Sequence, residues 1–277
     1  MSTMTLEFLS LAGNFLTGFE QFFDILPWNK LSIFEYKVSN NKFTGEIPKV
    51  FCSLASLSVL ELSNNNLSGK LPPCLGNKRS AISVLNLGDN SFSGDIPETF
   101  TSGCSLRVVD FSKNKLEGKI PRSLANCTKL EILNLEKNKI NDVFPSWLGI
   151  LPDLRVLILR SNRLHRVIGK PRNNVEFPRV QIVDLSNNSF KGNLPLEYFR
   201  NWTAMKNVHG LCGKPLSRKC GNGEDSLPAA KRDEGSAPYP LEFGWKVVVT
   251  GYASGLVIGV ILGCVMDTRK YEWLVNL

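Results

Sequence analysis

The chain has 277 residues, 43% of them hydrophobic, with a formal net charge of +8. It is long enough to bury one large core or two ordinary ones. A basic balance is compatible with an acidic partner, but Lys and Arg are scattered among Asp and Glu instead of forming a run, so they are assigned to solvated surface and nucleic acid is not expected as a partner. Seven cysteines are too few for a disulfide scaffold of this length, and none forms a pair with zinc spacing.

A recurring unit organises the first 200 residues. Its clearest copy is LSVLELSNNNLSGKLPPCL, starting at Leu57, where Leu57, Leu60 and Leu62 lead to Asn65, followed by Leu67, Gly69, Leu71 and Pro72. The same Asn recurs at Asn14, Asn41, Asn65, Asn90, Asn114, Asn138, Asn162 and Asn188, in steps of 27, 24, 25, 24, 24, 24 and 26 residues. Each unit reads LxxLxLxxNxLxGx(I/L)P. Alternating leucines predict a short strand with one buried face. The Asn carboxamide, both donor and acceptor, is expected to satisfy backbone groups where the chain leaves the strand and to stack over the next Asn. Gly followed by Ile-Pro predicts a tight bend and a second extended run on the flank. No unit can bury its apolar edge alone, so eight units must stack into a solenoid.

Two joints depart from the pattern. Before Asn41 the chain arrives about three residues late, with Tyr36 and Val38 where Leu is expected. The Asn162 unit lacks the Gly and Pro, so its flank is expected to bulge as a loop. An uncapped first unit would expose Leu6, Leu9 and Leu11.

The residues between the strand leucines predict a polar column on the concave face. Four positions before each Asn lie Ser10, Lys37, Glu61, Asn86, Asp110, Asn134, Ile158 and Asp184; two before lie Ser39, Ser63, Ser112, Glu136, Arg160 and Ser186. These are the candidate ligand contacts. Among the cysteines, Cys52 and Cys74 stand one repeat apart at similar phase and could bridge, whereas Cys104 and Cys127 are expected to be small buried residues. Cys212 and Cys220 flank a short loop after the last repeat, as a disulfide-closed end cap would. Sequons occur at Asn66, Asn126, Asn187 and Asn201, candidate glycosylation sites in an extracellular setting.

After residue 205 the repeat stops. Residues 206–220 are assigned to a cap and 221–245 to a juxtamembrane linker rich in Gly, Pro and charge. Residues 247–266 carry no charge; as a helix they would be about 30 Å long, the thickness of a bilayer's hydrocarbon core. With Lys246 they define a predicted transmembrane helix, 246–266, followed by a short cytoplasmic tail, 267–277. Trp245 and Lys246 mark one interface, and Arg269, Lys270, Tyr271 and Trp273 the other. Gly251, Gly255, Gly259 and Gly263 recur every fourth residue, a stripe on which a second helix could pack closely.

No nucleophile elbow, phosphate loop, dinucleotide fingerprint or metal-ligand spacing occurs, and His165 and His209 stand apart as surface residues, so neither catalysis nor a cofactor or metal is expected.

The unit LxxLxLSxNxLxGxIP resembles the plant-type extracellular leucine-rich repeat. The stretches FPSWLGILPDLRVLILRSNRLH, FPRVQIVDLSNNSFKGNLPLEYFRNWTAMK, GLCGKPLSRKC and EFGWKVVVTGYASGLVIGVILG resemble the plant receptor-like proteins of the disease-resistance type, which carry extracellular repeats and no kinase. The resemblance implies an α/β repeat solenoid with a curved parallel sheet on its concave face, followed by one transmembrane helix. It also implies a single-pass plasma-membrane receptor, repeats outside, that binds a peptide, protein or glycan ligand. Signalling would pass to a partner receptor-like kinase through the glycine stripe, in defence or development. Family members also carry a signal peptide, a non-repeat island and further repeats, and without these the chain is expected to be an abbreviated member. Two other functions fit the repeats: inhibition of a secreted hydrolase such as a polygalacturonase, and a non-signalling remnant or decoy.

Overall fold

A computed structural model of the chain describes residues 6–19, 32–76, 80–171 and 176–201. The predicted cap, linker, membrane helix and tail lie outside these residues, as do Cys212, Cys220, His209, the glycine stripe and the side chain of Asn201. Among the described residues no helix is long and apolar enough to cross a membrane.

The eight predicted strands form one parallel sheet in strict chain order: Phe8–Ser10, Glu35–Lys37, Val59–Glu61, Val84–Asn86, Val108–Asp110, Ile132–Asn134, Val156–Ile158 and Ile182–Asp184. The register aligns equivalent repeat positions, so the middle row reads Leu9, Tyr36, Leu60, Leu85, Val109, Leu133, Leu157 and Val183. From Tyr36 to Leu157 this row is buried. Tyr36, the substitute for leucine at the late joint, fits the core by packing edge-on against Phe51 with ring centroids 5.0 Å apart. Burial holds its phenol protonated well beyond the usual tyrosine range. In the first unit Leu6 is exposed, while Leu9 and Leu11 are half-buried and packed against the core.

From Asn41 onward each ladder Asn sews two units together, whereas Asn14 bonds the Leu11 and Ala12 carbonyls of its own unit. Asn138 Nδ2 donates to the carbonyls of Leu135 and Glu136 in its own unit and of Phe111 in the preceding one, while Oδ1 accepts the Leu116 amide at 3.0 Å. The same four-bond set recurs at Asn65, Asn90, Asn114, Asn162 and Asn188. The carboxamides thus bind backbone as expected, because strand exit leaves unpaired carbonyls within reach of Nδ2.

The residue immediately before the Asn is left-handed in every unit after the first glycine: Asn40, Asn64, Asp89, Lys113, Lys137, Ser161 and Asn187 have φ between 52° and 56°. That conformation turns the chain out of the strand.

The flank run forms a second parallel sheet of Thr44–Gly45, Asn66–Gly69, Ser91–Asp95 and Lys115–Glu117. Gly118 ends its last strand with φ +71°, and the space a β-carbon would take there is filled by the Asp95 carboxylate. The Asn138 unit forms no such strand: its sequence NKINDV places Asp142 where glycine stood, and Asp142 caps the Ile120 amide. In the Asn162 unit His165–Val167 pairs in parallel with Ser189–Lys191, and residues 172–175, within the flank expected to bulge, lie outside the described residues. Arg166 stands four after the Asn, where other units carry glycine, and takes the same left-handed conformation with φ 69°.

The convex side consists of short 3-10 turns, including Lys49–Ser53, Pro73–Gly76, Arg122–Asn126 and Ser146–Ile150, three of them entered from a proline whose fixed φ initiates the turn. The α-helical element among the described residues is Leu196–Asn201, so the helical layer implied by an α/β solenoid is here largely 3-10. Disulfides join adjacent convex turns at Cys52–Cys74 and Cys104–Cys127, with Cα atoms 5.6 and 4.8 Å apart. The second corrects the assignment of Cys104 and Cys127 as merely buried. Both are buried, and stacking at equivalent repeat phase brings their sulfurs together.

Candidate functional site: the concave face

The register places the predicted column on one face: Ser10, Lys37, Glu61, Asn86, Asp110, Asn134, Ile158 and Asp184 are consecutive partners across the sheet. They are less available than expected. Asn134 and Ile158 are buried, at 4% and 8% exposure, because neighbouring side chains crowd a curved face. Where the residue is Asn or Asp, its side chain also caps its own strand exit. Asn86 Oδ1 accepts the Gly88 amide, Asp110 Oδ1 that of Ser112, Asn134 Oδ1 that of Glu136, and Asp184 Oδ1 that of Ser186, at 2.8–3.1 Å. These residues therefore build the turn as well as line the face.

Charge on this face is acidic and partly desolvated. Asp110 takes a further bond from Asn134 Nδ2 at 3.0 Å, yet burial holds its carboxyl above the ordinary carboxylate range, and Glu136 adds to the rise. Burial likewise raises Glu61, with Lys37 opposing. Lys37 is engaged by Glu35 at 2.7 Å and Glu136 by Lys137 at 3.6 Å. Arg160 keeps a buried Nε with no hydrogen-bond partner among the described residues.

Two features of the face escaped sequence reasoning. One is an aliphatic row beside the polar column: Val59, Val84, Val108, Ile132, Val156 and Ile182 are consecutive register partners. The signal was present as a β-branched residue six before each Asn from Asn65 to Asn188. The other is a charge ladder along the entry edge, where Glu131 accepts from Arg107 Nε at 2.7 Å and lies 3.9 Å from Arg155 Nε. Three x positions separated by 24 residues acquire a meaning only once units stack.

The sequons differ in setting. Asn66 and Asn187 are exposed; Asn126 is exposed too, but its Nδ2 donates to the Phe100 carbonyl at 2.8 Å. His165 sits half-buried on the second sheet. Among the described residues no group of three or more His, Cys, Asp and Glu is placed to hold a metal.

Family models described as leucine-rich repeats match residues 80–140 and 56–78. Receptor-like protein 32 of Arabidopsis thaliana is 44% identical over 205 residues, covering 73% of this chain and 23% of that protein. Among solved structures, PEPR1–AtPEP1 matches with a TM-score of 0.64 at 31% identity, over 73% of this chain and 27% of the other. The Arabidopsis receptor kinase HAESA, in complex with the peptide hormone IDA and the co-receptor SERK1, matches with a TM-score of 0.61 at 29% identity, over 71% and 32%. The chain is thus a leucine-rich-repeat protein that belongs with the plant receptor-like proteins, and it spans 23% of the length of the relative just described.

Proposed function

We propose that the chain is a membrane-anchored recognition receptor. Its concave face binds an extracellular peptide, protein or glycan, and the event passes to a partner receptor-like kinase through the glycine stripe of residues 251–263, in defence or development. The observation that carries this is the in-register concave face, which sets a mostly polar column beside an aliphatic row in which Val59, Val84 and Ile182 are half-buried. An extended peptide presents its side chains alternately, so it can satisfy both rows at once. The match to HAESA, a receptor kinase in complex with a peptide hormone and a co-receptor, supports the same assignment. Two inter-unit disulfides fit an oxidising, extracellular setting.

The test is topological. In intact plant cells expressing the full chain, the repeats are expected to be sensitive to external protease and to shift in mobility with endoglycosidase, through Asn66, Asn126, Asn187 or Asn201. Repeats that are unglycosylated and shielded from external protease sink the proposal. In the same cells, replacing Gly255 and Gly259 with Leu is expected to reduce co-purification of a receptor kinase; unchanged recovery removes the glycine stripe from the mechanism.

A further inference from the structure

The sequence scatters lysine and arginine among acids, but stacking sorts them. Along the edge where the chain enters the sheet, cation and acid alternate and pair: Glu131 lies between Arg107 and Arg155, and Arg179 meets Asp153 at 2.6 Å. The rim where the chain leaves the sheet is different. In three consecutive units the residues just before and just after the ladder Asn are Lys113 and Lys115, Lys137 and Lys139, and Ser161 and Arg163. All five cations are exposed. Lys113 is engaged by Asp89 at 3.3 Å and Lys137 by Glu136 at 3.6 Å, but Lys115, Lys139 and Arg163 form no salt bridge among the described residues. Glu117, exposed beside them, forms none either, and Arg166 adds a further exposed cation on the flank. The rim thus carries six cations against the three carboxylates Asp89, Glu117 and Glu136.

Like charges set side by side in neighbouring units repel one another, so the column Lys115, Lys139 and Arg163 works against stacking and is not explained by the fold. An anion laid along it removes that repulsion. Units stack about 4.8 Å apart at the sheet, so these fixed charges recur along a line, as the charges of a linear polyanion do. Three features choose among polyanions. The two inter-unit disulfides fit an oxidising, extracellular setting, where acidic polysaccharides are the polyanions at hand. The six rim positions hold no aromatic residue to stack a nucleobase and no apolar residue to enter a bilayer. Four of the five cations there are Lys, a point charge that meets a carboxylate at any angle, whereas phosphate recognition favours the arginine fork.

We propose that the sheet-exit rim of the Asn114, Asn138 and Asn162 units is a docking surface for a linear polyuronate, an extracellular acidic polysaccharide with one carboxylate on every sugar, whose carboxylates pair with Lys115, Lys139 and Arg163. This rests on the repeats lying outside the cell. The surface follows the rim and leaves the concave column free for a second ligand.

The test is fluorescence anisotropy of an end-labelled oligogalacturonate decamer titrated with the full chain in non-ionic detergent. Saturable binding is expected, weakened at least tenfold when the carboxylates are methyl-esterified and at least tenfold between about 50 and about 200 mM salt. The triple variant Lys115→Gln, Lys139→Gln, Arg163→Gln is expected to bind at least tenfold more weakly while circular dichroism stays unchanged, since all three side chains are exposed. A control triple, Lys49→Gln, Lys70→Gln, Lys129→Gln, removes the same charge from other exposed positions and is expected to change binding less than twofold. A labelled poly(U) decamer and phosphatidylserine vesicles are expected to bind at least tenfold more weakly than the polyuronate. No saturable binding of the decamer, equal binding of its methyl ester, equal losses in the two triples, or poly(U) or vesicles bound as tightly overturns the proposal. The topology experiment is read in cells and is independent of this one, so a failed rim and a failed receptor assignment are told apart.

Discussion

Glu61 illustrates how one position serves both the fold and the face. Its carboxyl lies on the concave column between the Lys37 and Asn86 positions, and burial is the main cause of its raised pKa, opposed by Lys37 and a Ser39 hydrogen bond. The folded chain therefore holds this proton more tightly than the unfolded chain does. In the interval from the ordinary carboxylate pKa, about 4.3, up to the raised folded value, the native state binds more protons. Stability then falls as pH rises, the reverse of a salt-bridged carboxylate. Glu61→Gln abolishes this dependence at the one position. Its stability relative to wild type is expected to increase between about pH 4 and pH 7, read as the difference in thermal midpoint. A difference that is flat or shrinks with pH would show that Glu61 is not desolvated in the fold. Asp110 is raised by the same cause, but its second oxygen accepts from Asn134 Nδ2. An amide there would set donor against donor, so the smaller Glu61 change is the cleaner probe.

At the scale of the element, the repeat was legible because its chemistry is local. The Asn interval, the alternating leucines and the glycine bend each act within a single unit, and together they located all eight strands, the second flank sheet and the polar column. What stacking creates was not legible. The Arg107, Glu131 and Arg155 ladder links residues 24 apart, and Cys104 with Cys127 became a bridge only when two convex turns were laid side by side. The left-handed residue before each Asn went unread because no single residue type marks it: Asn, Asp, Lys and Ser all occupy it. The two bridges are of different exposure. Cys52 is exposed and Cys74 half-buried, whereas Cys104 and Cys127 are 3% and 0% exposed. Thiol–disulfide exchange needs an attacking thiolate to reach a sulfur, so mild dithiothreitol is expected to reduce Cys52–Cys74 first. Differential alkylation read by mass spectrometry orders the two, and simultaneous reduction would show that the buried bridge opens with the whole solenoid. Replacing both Cys104 and Cys127 by Ser is expected to cost about 3 kcal/mol for a loop of this size.

For the whole molecule, the decisive property is that each unit touches only its neighbours. Stability is then a sum of intrinsic and nearest-neighbour contributions, and opening starts where a neighbour is lacking or poor. The ladder makes the gradient concrete. The carboxamides of Asn114 and Asn138 are buried, and the amides they hold, Phe92 and Leu116, lie in the middle of the stack. Toward the C-terminal edge Val183, Leu185 and Phe190 are only partly buried, as Leu9 and Leu11 are at the other. Hydrogen exchange followed by mass spectrometry is therefore expected to show protection rising from both edges. The amides of Phe92, Leu116 and the strand Ile132–Asn134 are expected to exchange at least tenfold more slowly than those of Phe8–Ser10 and Ile182–Asp184. A globular domain that opens all at once would give its core amides one shared limiting rate, and finding that here would refute the additive description.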